Sequence, residues 1–321
     1  MKLRYRTLLP GLLLFAMTLK GQDTWYGSMS GMHMMYNPAW AGATGSSVMN
    51  INATSFLPGN GFGLKSVYAS YDGYFPQLHG GAGIWLSDDM LGDIMNDLRA
   101  GASYAYHFRA GRDLYIKAGL TASLVNRGIR TGSIVLPEDI DPLRGITGGS
   151  AAYTSPANIS RFDLGTGISF STGSWYGGLS AMHLTQPSLS SDQQEQNRLK
   201  RLFTLNTGAS FSPGRSGILL NPSAAFLVQG GSYTVYLGTE AHWKSLLSGV
   251  SLWHLSRGFT AAETSLGWDA DIVKFILSYS YILAGGDSSF KGTAIAKARL
   301  LFSFNNVEKS RVTHIIKLPV L

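Results

Sequence analysis

The chain of 321 residues contains no cysteine. That excludes disulfide staples and lipoprotein processing, which needs a cysteine at the cleavage point, and suits an exported protein that folds without disulfides. Charge is also scarce: 14% of residues are Asp, Glu, Lys or Arg, against roughly 25% in ordinary soluble proteins. Beyond the first 20 residues no run reaches the ~18 consecutive apolar residues of a membrane-spanning helix. A bundle of membrane helices is therefore excluded. Enzyme signatures are missing as well, with no G-x-S-x-G elbow, no phosphate-binding G-x-x-x-x-G-K-[ST] loop and no H-E-x-x-H pair. What the chain has instead is glycine, at 39 residues, and aromatics, at 12%. Low charge with abundant Gly, Tyr, Phe and Ser is unlike a disordered chain. It fits a protein with much of its surface outside water.

The first residues follow the pattern of an export signal. MKLRYR is basic, TLLPGLLLFAMTL is apolar, and LKG precedes Gln22. The expectation is a signal peptide over 1–21, cleaved near Gly21. Its loss removes Lys2, Arg4, Arg6 and Lys20 and no acid, so the formal charge falls from +7 to +3. The high isoelectric point then belongs mostly to the leader, and it gives no reason to expect nucleic-acid binding.

The remaining pattern is alternation with period two, the signature of strands with one apolar face. In DLYIKAGLTASLV, Leu114, Ile116, Ala118, Leu120, Ala122 and Leu124 oppose Tyr115, Lys117, Gly119, Thr121 and Ser123. In LRAGASYAYHF, Ala100, Ala102, Tyr104, Tyr106 and Phe108 oppose Arg99, Gly101, Ser103, Ala105 and His107. Near the end, Ala296, Ala298, Leu300, Phe302 and Phe304 oppose Lys297, Arg299, Leu301 and Ser303. Fourteen such runs are legible, at 47–56, 63–74, 80–89, 96–110, 113–129, 162–173, 175–187, 201–213, 218–231, 233–244, 246–258, 260–271, 275–285 and 292–305. Most reach the ~10 residues of a tilted transmembrane strand. Runs of a soluble sandwich or propeller are commonly only about 5–6 residues long.

An even number of strands closes a barrel with both ends of the chain on one side, and closure matters because lipid cannot satisfy an open sheet edge. The long connections, 130–161 and 188–200, are both odd-numbered, as are the moderate ones at 57–62, 90–95 and 286–291. Even-numbered connections such as Gly111-Arg112 and Gly173-Ser174 are short turn sequences. The expected fold is all-β: a single closed antiparallel outer-membrane β-barrel of about 14 strands. The domain plan is a signal peptide (1–21), an N-terminal segment that is periplasmic or enters the lumen (22–46), the barrel (47–305) and a periplasmic C-terminal tail (306–321).

Few residues suggest chemistry. The histidines are scattered without metal-ligand spacing. His107 is expected to face the lumen near Arg99 and Arg109, as part of its polar filling. Together with Lys117, Lys297 and Arg299 these arginines would make a locally basic lumen. Ser180 and His183 stand three apart and are expected on opposite strand faces, which rules them out as nucleophile and base. Asp88, Asp89 and Asp93 read as a solvated loop, and SDQQEQNRLKR, 191–201, as an exposed outer loop. No catalytic residue, metal or cofactor is expected.

The stretch YNPAWAG, 36–42, stands just before the first run. Asn37-Pro38 favours a turn, since proline fixes φ and moves the preceding residue away from helix. Gly42 lets the backbone leave that turn, and Trp40 brings a large amphipathic ring. YNPAWAG resembles the N-terminal hallmark of the PorP/SprF family of outer-membrane proteins, found in the type IX secretion system and gliding motility of Bacteroidota. GGAGIWLSDDMLGDI (80–94) resembles that family's glycine-rich strand and Asp-containing turn. ASYAYHFRAGRDLYIKAGLTASLVN (102–126), with Tyr104, Tyr106 and His107, resembles its aromatic–His hairpin. WYGGLSAMHLTQPSL and SLGWDADIVKFILSYSYIL resemble a further strand and the C-terminal pair.

The resemblance implies a non-enzymatic component of type IX protein secretion. One branch associates with periplasmic ring proteins of the machinery, and another receives and anchors a large secreted surface adhesin. The motif residues it implies are Asn37, Pro38, Ala39, Trp40, Ala41, Gly42, Tyr104, Tyr106 and His107. Trp40 is expected at the inner rim or inside the lumen. The alternative is an outer-membrane transporter or channel for a small apolar or anionic molecule.

Overall fold

The computed structural model describes Met29 and residues 31–56, 63–92, 94–129, 140–141, 143, 145–146, 157–189, 198–214, 217–256, 258–285 and 294–304. The expected signal peptide, the C-terminal tail, Asp93 and most of the 191–201 loop lie outside these residues. The alternating runs become long strands. These are β1 (Ser47–Phe56), β2 (Leu64–Phe75), β3 (Gly80–Leu91), β4 (Met95–Arg109) and β5 (Leu114–Ile129). After β6 (Ile140–Asp141) and β7 (Gly145–Ile146) come β8 (Ala157–Thr172), β9 (Trp175–Met182), β10 (Leu202–Ala209) and β11 (Ile218–Gln229). The last five are β12 (Ser232–Trp243), β13 (Leu246–Leu255), β14 (Phe259–Ala270), β15 (Val273–Gly285) and β16 (Ala294–Phe304).

All but β6 and β7 form one closed antiparallel barrel of 14 strands. β5 pairs with β8 across the longest connection, and β1 closes on β16 from Ser47↔Phe304 to Phe56↔Ile295. Closure leaves every strand with two hydrogen-bonded neighbours, so no edge faces lipid. The barrel has a short-turn end, where β1 begins and β16 ends, and a long-connection end, which carries the β5–β8 and β9–β10 connections.

Burial along the strands is inverted relative to a soluble protein. Ile84, Leu120 and Leu266 are among the most exposed apolar side chains, at 63–65%. Asn50, Asp72, Ser87, Lys117, Glu263 and Ser280 are buried on the inner face. So much exposed apolar surface requires lipid. Trp175, Trp243, Trp268, Phe75, Phe108 and Phe304 stand exposed near the short-turn end. They form the aromatic girdle of a membrane–water boundary.

Several sequence boundaries are corrected. β9 stops at Met182 instead of 187, because His183 (φ 57°) and Gln186 (φ 48°) turn the chain out of the ladder. β10 ends at Ala209 rather than 213, ahead of Pro213 and of Gly214 at φ 66°. β8 begins at Ala157 rather than 162, since cross-strand pairing with β5 carries Ala157–Arg161 into the sheet despite their polarity. The longest connection also holds a small hairpin, β6–β7. Asp88 and Asp89, read as a solvated loop, lie inside β3, and Asp89 is buried directly across from Asp97. Leu199, within the segment expected to be an exposed outer loop, is buried with Val125 and Leu189.

Candidate functional site in the barrel lumen

The chain just before β1 runs inside the barrel. A short helix, α1 (His33–Tyr36), and a 3-10 turn (Pro38–Trp40) fold residues 33–42 into a compact loop across the lumen. Met34, Tyr36, Asn37, Ala39, Trp40 and Ala41 are all at most 3% exposed. The local code follows the sequence. Asn37 sits in extended backbone, as a residue before proline prefers, and Pro38 opens the turn where no N–H is needed. The Asn37 Oδ1 accepts from the Ala39 N–H at 3.0 Å, capping the turn. Its Nδ2 donates to the wall carbonyls of Ile168 and Leu179, each at 3.4 Å. One side chain thus fixes the turn and fastens it to β8 and β9. Gly42 leaves the turn at φ 64°.

Asp72 of β2 fastens both ends of the loop. It is fully buried, its Oδ2 accepts from the Gly42 N–H at 2.7 Å, and its Oδ1 lies 3.3 Å from His33 Nε2. Further contacts come from around the wall. Ser180 donates to the Tyr36 carbonyl and Ser169 to that of Ala39. His107 Nε2 lies 3.1 Å from the Ala41 carbonyl, which can only accept, so this nitrogen carries the proton. Trp40 meets Tyr176 edge-on, with centroids 5.7 Å apart, and Lys117 Nζ stands 5.5 Å from its ring centroid. Lys117 Nζ has no hydrogen-bond acceptor among the described residues, and the Trp40 ring face and the charge of Asp72 compensate it instead.

The wall is shaped for this loop. A Cβ on Gly167 would fall 2.0 Å from Asn37 Oδ1, and one on Gly81 would fall 2.0 Å from the Ala41 carbonyl oxygen. Backbone and cap therefore lie directly on the barrel at positions where any side chain would intrude.

The basic residues divide. Lys297 is paired with Glu263, which also accepts from Ser280 at 2.8 Å. Arg299 lies 3.7 Å from Glu240, and Arg99 lies 3.9 Å from Asp97. Arg127 grips Asp97 with two bonds of 2.6 and 2.7 Å. Apart from Lys117, then, the expected basic lumen is charge-matched, as low-dielectric burial demands. Arg109 is not in the lumen. It is exposed at the short-turn end, bonded to the carbonyls of Gly111 and Arg112 and stacked on Tyr115.

The hairpin motif likewise splits by face. Tyr104 and Tyr106 are exposed on the outer surface, and Tyr104 donates to the Leu78 carbonyl at 2.7 Å, while His107 points in. Ser180 and His183 were expected on opposite faces, yet both are buried, because β9 ends between them. They are committed elsewhere: Ser180 to Tyr36, and His183 Nδ1 to Asp163 at 2.5 Å. Sequence reasoning missed the acids Asp72, Asp97, Asp163, Glu240 and Glu263. Their signal was present as lone acids on the inner face of alternating runs, as with Ala261, Glu263 and Ser265. Among the described residues no cluster of His, Asp and Glu could hold a metal ion.

A closed, lipid-facing barrel with an ion-paired interior and a chain segment packed within it defines an outer-membrane β-barrel protein whose lumen is partly occupied. The family model for the type IX secretion system membrane protein PorP/SprF matches residues 18–293, and the chain belongs to this family. No curated protein matches the chain. Solved structures similar to it are outer-membrane barrels. The deltaS2S3 mutant of the monoaromatic hydrocarbon channel TodX gives a TM-score of 0.53 at 11% identity over 85% of this chain and 94% of that one. The toluene transporter TodX of P. putida gives 0.51 at 10% identity over 84% and 92%. Omp33 of Acinetobacter baumannii gives 0.45 at 8% identity over 82% and 100%. At these identities the likeness is one of fold.

Proposed function

We propose that this barrel serves type IX secretion through protein contacts made at its two ends, either with periplasmic ring proteins of the machinery or by anchoring a secreted surface adhesin. The observation that carries the reading is the loop of residues 33–42, fixed to five strands from inside. A lumen crossed by its own chain is narrowed as a route, which supports a binding role over a transporter or channel. The commitment of Ser180 to Tyr36 and of His183 to Asp163 supports a non-catalytic role. On this reading the short-turn end is periplasmic. The residues after Phe304 then leave into the periplasm, where a ring protein can meet them.

Affinity purification from native envelopes in mild detergent, comparing the full chain with one ending at Asn305, tests the proposal. Ring proteins held only by the full chain indicate a machinery component working through the tail. One large surface protein held by both chains indicates an anchor. A barrel that purifies alone and conducts in planar bilayers overturns the reading in favour of a transporter.

A further inference from the structure

The lumenal loop leans on one side of the barrel. Its contacts are to β2, β4, β5, β8 and β9, through Asp72, His107, Lys117, Ser169 and Ser180. The side formed by β11–β16 borders a cavity of about 810 Å³. Its rim is at the short-turn end, where it is lined by Thr44 and Ser46 before β1, Ser210 after β10 and Asp271 in the β14–β15 turn. Inward it reaches Glu240, Ser265, Ile276 and Arg299, which also border a lumenal pocket of only about 40 Å³ beside Met32. The space therefore opens at the short-turn mouth and narrows with depth. Its volume lies within the ~300–1,000 Å³ of ordinary ligand sites.

The lining is amphipathic. Gly267 pairs with Leu247 on one side and Ile276 on the other, so a bare strip of wall separates two aliphatic side chains. Val48, Leu219 and Leu301 continue the apolar surface. With His242 neutral, three acids (Glu240, Asp269 and Asp271) against two bases (Lys274 and Arg299) leave a formal charge of −1. Both bases are engaged: Lys274 lies 3.0 Å from Asp269, and Arg299 lies 3.7 Å from Glu240. Asp269 also has His242 Nε2 at 3.2 Å and accepts the Asp271 N–H at 3.1 Å. The Asp271 carboxylate is exposed at the rim and has no basic partner among the described residues. Glu240 is the more exposed member of its pair, and its long contact leaves oxygen lone pairs for a second donor. An entering anion would find every base committed. An entering cation meets Asp271 first and Glu240 further in, while Leu247 and Ile276 cover the aliphatic stem that carries it.

We infer that this vestibule is a docking socket for a projecting segment of a periplasmic protein, in which a lysine or arginine meets Asp271 and Glu240 and neighbouring aliphatic side chains cover Leu247, Gly267 and Ile276. The inference rests on the proposed reading that the short-turn end is periplasmic and makes protein contacts. The rim favours a protein over a free small molecule. The turns that edge it, Lys244-Ser245 and Asp271-Ile272, are too short to fold over the mouth, so a partner can seat on the rim with one segment reaching inside.

The absence of cysteine gives the test a clean background. In the full chain, Ser265→Cys places one thiol on the cavity wall, and its modification by a small methanethiosulfonate is timed in mild detergent. The probes are two blocked pentapeptides, Ala-Lys-Leu-Lys-Ala and Ala-Glu-Leu-Glu-Ala. The lysine peptide should slow modification at concentrations where the glutamate peptide does not. Adding Asp271→Asn should weaken the lysine peptide up to about fivefold, the scale of one exposed ion pair. Combining Glu240→Gln with Asp271→Asn leaves one acid against two bases, and the preference should reverse toward the glutamate peptide. Should the double variant fail to fold, as judged by heat-modifiable mobility, Asp271→Asn alone still decides.

No protection by either peptide, equal protection by both, or a preference unmoved by Asp271→Asn overturns the socket. Spermidine protecting as well as the lysine peptide replaces the protein segment with a free polyamine. Protection found only in the chain ending at Asn305 makes the chain's own tail the occupant. Either result overturns the assignment to a partner. In purification from native envelopes, ring proteins held by the double variant as firmly as by the wild type overturn the socket and leave the proposed function standing. A lysine preference with no envelope protein recovered from either sinks the proposed function and leaves a cation-selective peptide site.

Discussion

Asp72 accepts the backbone N–H of Gly42 at 2.7 Å from a site with no solvent exposure, and the same carboxylate lies 3.3 Å from His33. A ten-residue loop is thereby closed on one side chain of the barrel wall. Replacing Asp72 by Ala leaves the Gly42 N–H buried without its acceptor and His33 without its acid. The expected loss is about 1.5–3 kcal/mol, the range for hydrogen bonds to charged groups. Urea unfolding in detergent measures it, and an unchanged midpoint would show that the staple contributes nothing.

Asn37 is asked to cap a turn and to bind the wall at once. Asn37→Ala removes the cap and both wall contacts, whereas Asn37→Asp keeps the acceptor for Ala39 and loses the donors to Ile168 and Leu179. The expected order of stability is wild type, then Asp, then Ala, with the Ala variant lower by about 1–2 kcal/mol. Equal losses for the two variants would assign all of the effect to the wall contacts.

At Gly167 the prediction is steric. With a Cβ placed 2.0 Å from Asn37 Oδ1, Gly167→Val must push the loop off the wall. The barrel itself should still form, because its ladder does not depend on this position's side chain. The sign to look for is faster proteolysis within 31–46 with retained heat-modifiable mobility. A cleavage rate equal to that of the wild type would refute the close fit.

The Glu263–Lys297 pair tests the charge-matched interior. Glu263→Gln leaves a buried ammonium without its acid and should cost about 3–5 kcal/mol. Adding Lys297→Met removes the orphaned charge and should recover most of that loss, which a double-mutant cycle quantifies. Additive losses would mean that the two groups do not interact.

Conductance separates a scaffold from a channel. The full chain in planar bilayers should be silent, and removal of residues 22–46 should produce stable conductance through the vacated lumen. A wild-type barrel that already conducts would show that the loop does not block the path.

Strand number, most strand limits and the outward faces were legible because they depend on a period-two pattern that each segment carries by itself. Leu120, Tyr104 and Leu266 announce their lipid contact from their immediate neighbours alone. YNPAWAG was legible as a turn for the same reason, since Asn-Pro and glycine act through local backbone sterics. The motif's destination was not. Asn37 meets Ile168 and Leu179, Gly42 meets Asp72, and Lys117 meets Trp40 only once closure brings distant strands round one lumen. Whether a buried base is paired is equally a property of the closed barrel: Lys297 and Arg299 find their acids on other strands, while Arg109 falls outside at a turn. Periodicity determined that this chain is a membrane barrel. Tertiary structure decided that a segment of the chain lies inside the barrel and which wall residues hold it, because those contacts join residues whose separation in sequence leaves no local trace.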